Sequence, residues 1–380
     1  MLAGGAALFV LAFLLSLIGT ALARRYAVRL GLIDAPGHRK VHAVPTPRNG
    51  GIGIFWGFSL PLLIAMAAVL AINARTSDFV GTSLLGRPIA VDSRYIRGMQ
   101  AHAPLLGLLL ACTLLIHLLG LLDDRKPLPP WPKLLAQLAI AAALVFIGEL
   151  FGAGSFRVLT FLGNFPAPGF FASALCSIFW IVALTNAFNF LDNMDGLSAG
   201  VAFICAAVFL IAASINGQWF VAGLLLTLMG SILGFLCFNF PPASIFMGDG
   251  GSMILGFILA ALTIRTTYYQ PGRAPYAVLM PLFVTAVPLY DLVIVSILRL
   301  LKGRSPMTGD TNHFSHRLTR HGFSTRSTVL IIYGVTLSTG IAAPLLALHS
   351  DSTSASLLAL QLLGMLTVIA ILERVGEHTR

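Results

Sequence analysis

Along almost the whole chain, apolar runs of about twenty residues alternate with short polar links. A helix needs roughly 20 apolar residues to cross the hydrocarbon of a bilayer. Eleven runs approach that length: 2–23, 50–73, 104–122, 133–152, 170–191, 197–214, 218–238, 251–267, 276–300, 327–348 and 354–373. Their spacing predicts an all-α, polytopic integral membrane protein with about 11 transmembrane helices, folded as a single transmembrane domain over 1–380. The first run, Leu2 to Ala23, has no basic residue ahead of its apolar core and reads as a retained span.

One stretch breaks the pattern sharply. Between the apolar runs ending near Leu184 and starting at Leu197 lie Asn186, Asn189, Asp192, Asn193 and Asp195. Asn186, Asn189, Asp192 and Asp195 recur every third residue, which on a helix makes a slowly winding polar stripe. An ionised group at bilayer depth costs about 2.5–3.5 kcal/mol on insertion scales. Capping of the next helix accounts for Asp195. It leaves Asp192 and the asparagines unexplained, so a functional site is the better reading.

Charge changes the picture next. The chain carries a formal +10. Most of its Lys and Arg lie in one alternate set of links: 24–49, near 123–133, 299–326 and the C-terminal tail. That bias sets orientation and removes any need for nucleic acid as a partner. It predicts the N-terminus outside and the C-terminus in the cytoplasm. Four polar clusters then share the cytoplasmic face: Asp123-Asp124-Arg125-Lys126, the Asn186–Asp195 stretch, Asn239 through Phe246 to Ser252, and Asp310 through Leu318. Cys112, Cys176, Cys205 and Cys237 sit inside apolar runs and read as packing residues.

Five carboxylates, Asp123, Asp124, Asp192, Asp195 and Asp249, would converge at that face and repel one another without a cation. Oxygen-only ligands suit Mg²⁺ or Mn²⁺, and no His/Cys spacing suggests zinc. Asp249 lies in Met-Gly-Asp-Gly-Gly-Ser at the start of a span. Such a glycine-rich entry offers backbone N–H groups to phosphate, or Asp249 simply caps the helix. Lys40, His42, Arg48, Lys133, His313, His316 and Arg317 add cations on the same side. Asp291 and His117, each alone in a span, read as structural. Clustered acids, a helix entry and surrounding cations suit phosphoryl transfer between a soluble nucleotide compound and a lipid phosphate. An ion-coupled transporter is the rival reading. Its carboxylates would lie near the midplane on broken, repeated helices, which the sequence does not show.

Four ordered blocks resemble the polyprenyl-phosphate N-acetylhexosamine-1-phosphate transferases. They are Arg39-Lys40-x-His42 with Pro45-x-Pro47-Arg48-x-Gly50-Gly51, Leu-Gly-Leu-Leu-Asp123-Asp124, Asn189-x-x-Asp192-x-x-Asp195-Gly196-Leu, and Met-Gly-Asp249-x-Gly-Ser. The resemblance implies an enzyme of the bacterial inner membrane whose site faces the cytoplasm. It would move N-acetylglucosamine-1-phosphate from a UDP-sugar donor to undecaprenyl phosphate, release UMP, use Mg²⁺ and initiate cell-envelope polysaccharide synthesis. Asp249 would ligate the metal. Asp123 and Asp124 would serve the metal and the prenyl phosphate, and Lys133 would meet phosphate. Asn186, Asn189, Asp192, Asp195, Asn239, Phe246, Lys40, His42, Arg48, His313, His316 and Arg317 complete the candidate substrate contacts. A homodimer is compatible with such a chain. A prenyl phosphate is mostly ionised at neutral pH, so direct attack by its oxygen is favoured over an aspartyl-phosphate intermediate. One departure stands out: the family's usual His-x-His-His-Arg-Leu reads His313-Phe-Ser315-His316-Arg317-Leu318. The branch that transfers a muramoyl-pentapeptide usually shows three consecutive histidines, so this sequence favours the N-acetylglucosamine branch.

Overall fold

A computed structural model describes residues 2–27, 29, 31–34, 45–71, 79–82, 88–91, 93–151, 156–158, 168–266, 275–305, 313–348 and 352–375. The long helices are α1 (Leu2–Tyr26), α2 (Gly51–Ala71), α3 (Ser93–Arg125), α4 (Pro130–Leu150), α5 (Pro168–Leu191), α6 (Leu197–Ile215) and α7 (Trp219–Asn239). Then come α8 (Asp249–Arg265), a 3₁₀ turn (Pro275–Leu279), α9 (Met280–Val284) and α10 (Ala286–Leu301). The short α11 (Phe314–Arg320) precedes α12 (Thr325–Gly340), α13 (Leu345–Leu348) and α14 (Ser352–Val375). Two antiparallel two-stranded ribbons depart from the all-α expectation: β1 (Ile33–Asp34) with β2 (Thr46–Pro47), and β3 (Phe79–Thr82) with β4 (Pro88–Val91).

Among the described residues, 8 helices are long and apolar enough to cross a membrane, or up to 9 if one bent pair counts as a span. The protein is therefore a mostly helical, multi-pass membrane protein. Three of the eleven expected spans take other forms. The 251–267 run is the 17-residue α8. The 276–300 run bends by 67° between α9 and α10. Pro288 has no N–H for the Val284 carbonyl, and its ring crowds that carbonyl, so the helix breaks there. The Cys205 thiol, 3.2 Å from Val284 O, donates to the freed oxygen. The 327–348 run breaks after Gly340 for a related reason, with Pro344 just before α13.

The core is organised around α8. Every residue from Gly250 to Ile264 is buried, as expected of a helix apolar on all sides. Helices α3 and α5 flank it most extensively, and α2, α6 and α7 also touch it. Close approach depends on missing side chains. A Cβ on Gly120 of α3 would lie 2.5 Å from the Asp249 carbonyl. One on Gly256 of α8 would lie 2.7 Å from Thr185 Cα of α5. The small residues thus let α3 and α5 bring their polar ends to the start of α8.

Gly256→Ala should force α5 and α8 apart and cost about 1–3 kcal/mol. Gly334→Ala has open space around it and should be neutral or slightly stabilising, because Ala is the better helix former. Thermal unfolding in detergent checks both. Equal melting temperatures for the two variants would contradict the packing account.

Candidate active site

The site lies where the C-terminal ends of α3 and α5 meet the N-terminal ends of α4 and α8. Two consecutive carboxylates end α3. Asp123 faces α4: its Oδ2 accepts from the Lys133 ammonium at 3.0 Å, and its Oδ1 accepts from the Leu128 N–H at 2.7 Å. The Lys133 ammonium also donates to Asp249 Oδ2, and the Asp123 and Asp249 carboxylates are themselves in side-chain contact. Lys133 thus sets one cation between two of the five carboxylates. Lys133 extends from the first turn of α4, with only part of its side chain in solvent.

Asp124 faces α8. Its Oδ1 accepts from the Asp249 N–H at 2.9 Å and its Oδ2 from the Gly250 N–H at 3.0 Å. The next two N–H groups of the turn, on Gly251 and Ser252, donate to Gly248 O at 3.0 Å each. The helix entry that the sequence offers to phosphate is thus filled by Asp124, and Asp249 is the first residue of α8 rather than its cap. Gly248 holds φ 74°, a left-handed value that favours glycine. A Cβ there would sit 2.5 Å from Asp124 Oδ2.

The polar stripe of α5 separates into distinct roles. Asn186 donates to Gln137 Oε1 at 2.6 Å, joining α5 to α4. Asn189 donates to Ser252 Oγ at 2.9 Å, joining α5 to α8. Asp192 lies in the α5–α6 turn, within electrostatic reach of Asp249, Asp124 and Arg48. Desolvation first, then the charges of Asp249 and Asp124, raise its carboxyl well above the ordinary value, and Arg48 opposes them. Asp195 Oδ2 accepts from the Ala243 N–H at 2.9 Å. Asn239 is buried at the end of α7. It accepts from the Gly196 N–H and donates to Ile245 O, both at 2.9 Å. Both ends of its amide are engaged by backbone, so it ties the α5–α6 turn to the loop before α8.

The remaining candidates sit around this core. Arg48 Nε lies 3.2 Å from Asp34 Oδ1. The segment carrying it is tied to the α8 entry by three backbone bonds: Phe246 N–H to Pro47 O, Gly50 N–H to Phe246 O, and Gly51 N–H to Met247 O. Phe246 therefore holds the loop through its backbone. Lys40 and His42, with Arg39, lie outside the described residues. His313 precedes α11, which carries His316 and Arg317. The His313 and His316 rings are 6.2 Å apart.

Several partners escaped the sequence reading. Gln137 and Asp34 carry no motif signal, and only their contacts reveal them; Ser252, the last residue of the Met-Gly-Asp-x-Gly-Ser block, was not singled out and meets Asn189. Arg24, in the basic 24–49 link, donates to Ser244 Oγ at 3.1 Å and lies over the Phe238 ring. His117 is packed and bonded as expected, with Nδ1 2.8 Å from Gly250 O and its ring stacked on Phe55.

Among the described residues, no group of three or more His, Cys, Asp or Glu side chains forms a ready cage. Mg²⁺ is usually held by one or two carboxylates, with waters and substrate phosphates completing its shell. The touching Asp123 and Asp249 carboxylates meet that lesser requirement.

A family model described as glycosyl transferase family 4 matches residues 106–267, the segment that carries Asp123, Lys133, Asp192 and Asp249. The chain is 32% identical to the probable undecaprenyl-phosphate N-acetylglucosaminyl 1-phosphate transferase of Bacillus subtilis, across 86% of this chain and 80% of that protein. It is 32% identical to the decaprenyl-phosphate N-acetylglucosaminephosphotransferase of Mycobacterium tuberculosis, across 97% and 89%. It is 27% identical to the undecaprenyl-phosphate alpha-N-acetylglucosaminyl 1-phosphate transferase of Escherichia coli K12, across 84% and 78%. With its acids and lysine assembled at one end of a helical membrane bundle, the chain belongs to the polyprenyl-phosphate N-acetylhexosamine-1-phosphate transferase family.

Proposed function

We propose that this enzyme transfers N-acetylglucosamine-1-phosphate from its UDP derivative to a prenyl phosphate, undecaprenyl phosphate in a bacterial inner membrane. The observation that carries the reading is the Asp123–Lys133–Asp249 junction, set at helix ends where a lipid phosphate and a soluble nucleotide can meet. A phosphate oxygen of the lipid attacks the sugar-bearing phosphorus of the donor. The bond from that phosphorus to the oxygen bridging it to the nucleotide breaks, and UMP leaves with the electron pair. The lipid phosphate needs no deprotonation step at neutral pH, since its second pKa is about 6.

Asp123 is unsuited to nucleophilic attack. Both its oxygens accept hydrogen bonds, one from an ammonium. Its work is to hold Lys133, and the lysine in turn meets the phosphate that reacts. Asp249 and Asp123 would hold Mg²⁺ or Mn²⁺, which when bound supplies charge neutralisation to the phosphates. Asp124 positions Asp249 through the α8 backbone. Asn189, Asp192 and Asp195 line the donor side, and Arg48, His313, His316 and Arg317 face the nucleotide's charge. The bias of Lys and Arg supports a cytoplasmic site, with the N-terminus outside and the C-terminus inside.

Purified protein in detergent should release UMP from UDP-N-acetylglucosamine only when undecaprenyl phosphate and a divalent ion are present. Asp249→Asn and Lys133→Met should each lower that rate by about 100-fold or more. Unchanged rates in both variants, or no UMP from folded wild-type protein, would refute the assignment. For orientation, a cysteine placed by Lys126→Cys should react with an impermeant maleimide in inverted vesicles and not in intact cells. Labelling in intact cells alone would reverse the topology.

A further inference from the structure

Asp291 takes no part in the acid cluster, yet it is a carboxylate only 1% exposed. Its two oxygens have separate tasks. Oδ2 lies 2.7 Å from His313 Nδ1, and Oδ1 accepts from the Phe314 N–H at 2.9 Å. Starting the short α11 needs one acceptor, and a neutral side chain would serve. The second oxygen is on an imidazole. A carboxylate here can only accept, so Nδ1 carries the proton and Nε2 is left for another partner.

The position of His313 indicates which partner. The edge of its ring meets the Phe190 ring at the end of α5, 6.0 Å between centroids. Two residues on, the Ser315 hydroxyl donates to Asn193 Oδ1, and Asn193 Nδ2 bonds back to Phe190 O at 2.9 Å. The start of α11 is therefore clasped to the α5–α6 turn that carries Asp192 and Asp195. It sits on that turn, whereas Lys133 and Asp123 belong to the α3–α4 corner.

We propose that Asp291 is a positioning residue for the nucleotide-sugar donor: it fixes the tautomer and plane of His313 so that Nε2 faces the UDP group bound at the α5–α6 turn. This rests on the transferase reading. Asp291→Ala and His313→Ala should each raise KM for UDP-N-acetylglucosamine about tenfold or more, leaving KM for undecaprenyl phosphate unchanged. The double variant should be no worse than the worse single one, because both remove the same contact. Asp291→Asn retains one acceptor and the side-chain volume, so it should fold and show an intermediate KM.

Multiplicative effects in the double variant would overturn the proposal. So would a rise in KM for the lipid equal to that for the donor. If Asp291→Ala does not fold, Asp291→Asn and His313→Gln decide on the same KM split. Wild-type protein that releases no UMP would overturn the transferase reading and this inference with it. Active wild type with an unshifted donor KM in the variants would overturn this inference alone.

Discussion

The structure turns on a single requirement: a helix enclosed on all sides must have its first N–H groups satisfied from within the protein. Helix α8 is buried from Gly250 to Ile264, so its first N–H groups are satisfied mainly by acceptors from the protein. Asp124 supplies the acceptors from the end of α3. A carboxylate at the positive end of a helix is favourably placed, and two charge-assisted bonds fix its orientation. The same contact fixes Asp249, the residue whose N–H Asp124 accepts. The Asp249 carboxylate is thus placed by the backbone it belongs to, and the backbone by a neighbouring aspartate.

That arrangement explains why two adjacent aspartates are needed. Consecutive residues on a helix point about 100° apart. Asp124 turns toward α8 while Asp123 turns toward α4 and Lys133. One pair of residues at one helix end therefore reaches two different helices. Lys133 closes the triangle by bonding both Asp123 and Asp249. The loops that complete the site follow the same economy of polar groups. The segment after Pro47 bonds to the backbone of Phe246 and Met247, and Asn239 joins Gly196 to Ile245. Internal pairing of this kind satisfies irregular backbone where the protein buries it.

Much of this was legible in the sequence. Acids in an apolar chain are conspicuous, so Asp123, Asp124, Asp192, Asp195 and Asp249 could be found by their cost alone, as could the multi-pass helical architecture. Their division of labour could not. Periodicity does not say which of Asp123 and Asp124 faces α8, because that depends on how α3 rotates against its neighbours. Nor does the sequence show that Asn239 ties Gly196 to Ile245, since asparagine serves a buried loop as readily as a ligand. The spans at 276–300 and 327–348 look continuous in hydropathy. Their prolines break them, because hydropathy counts apolar atoms and ignores the missing N–H.

The proposed donor side shows a different building method from the acid corner. There the charges are held by helix ends fixed in the core. At α11 the His313 and His316 rings sit at the start of a helix of only seven residues, too short to hold a conformation by its own hydrogen bonds. It must be anchored from outside, and it is anchored twice, by Asp291 from α10 and by Asn193 from the α5–α6 turn. Ser315 stands where relatives of this family usually place a histidine, and it is buried against that turn. A small hydroxyl there trades a ring that could touch substrate for a bond that fixes the neighbours of the remaining rings. The change therefore need not weaken the donor side: His313 keeps its carboxylate, and α11 gains a second point of attachment to the turn it serves.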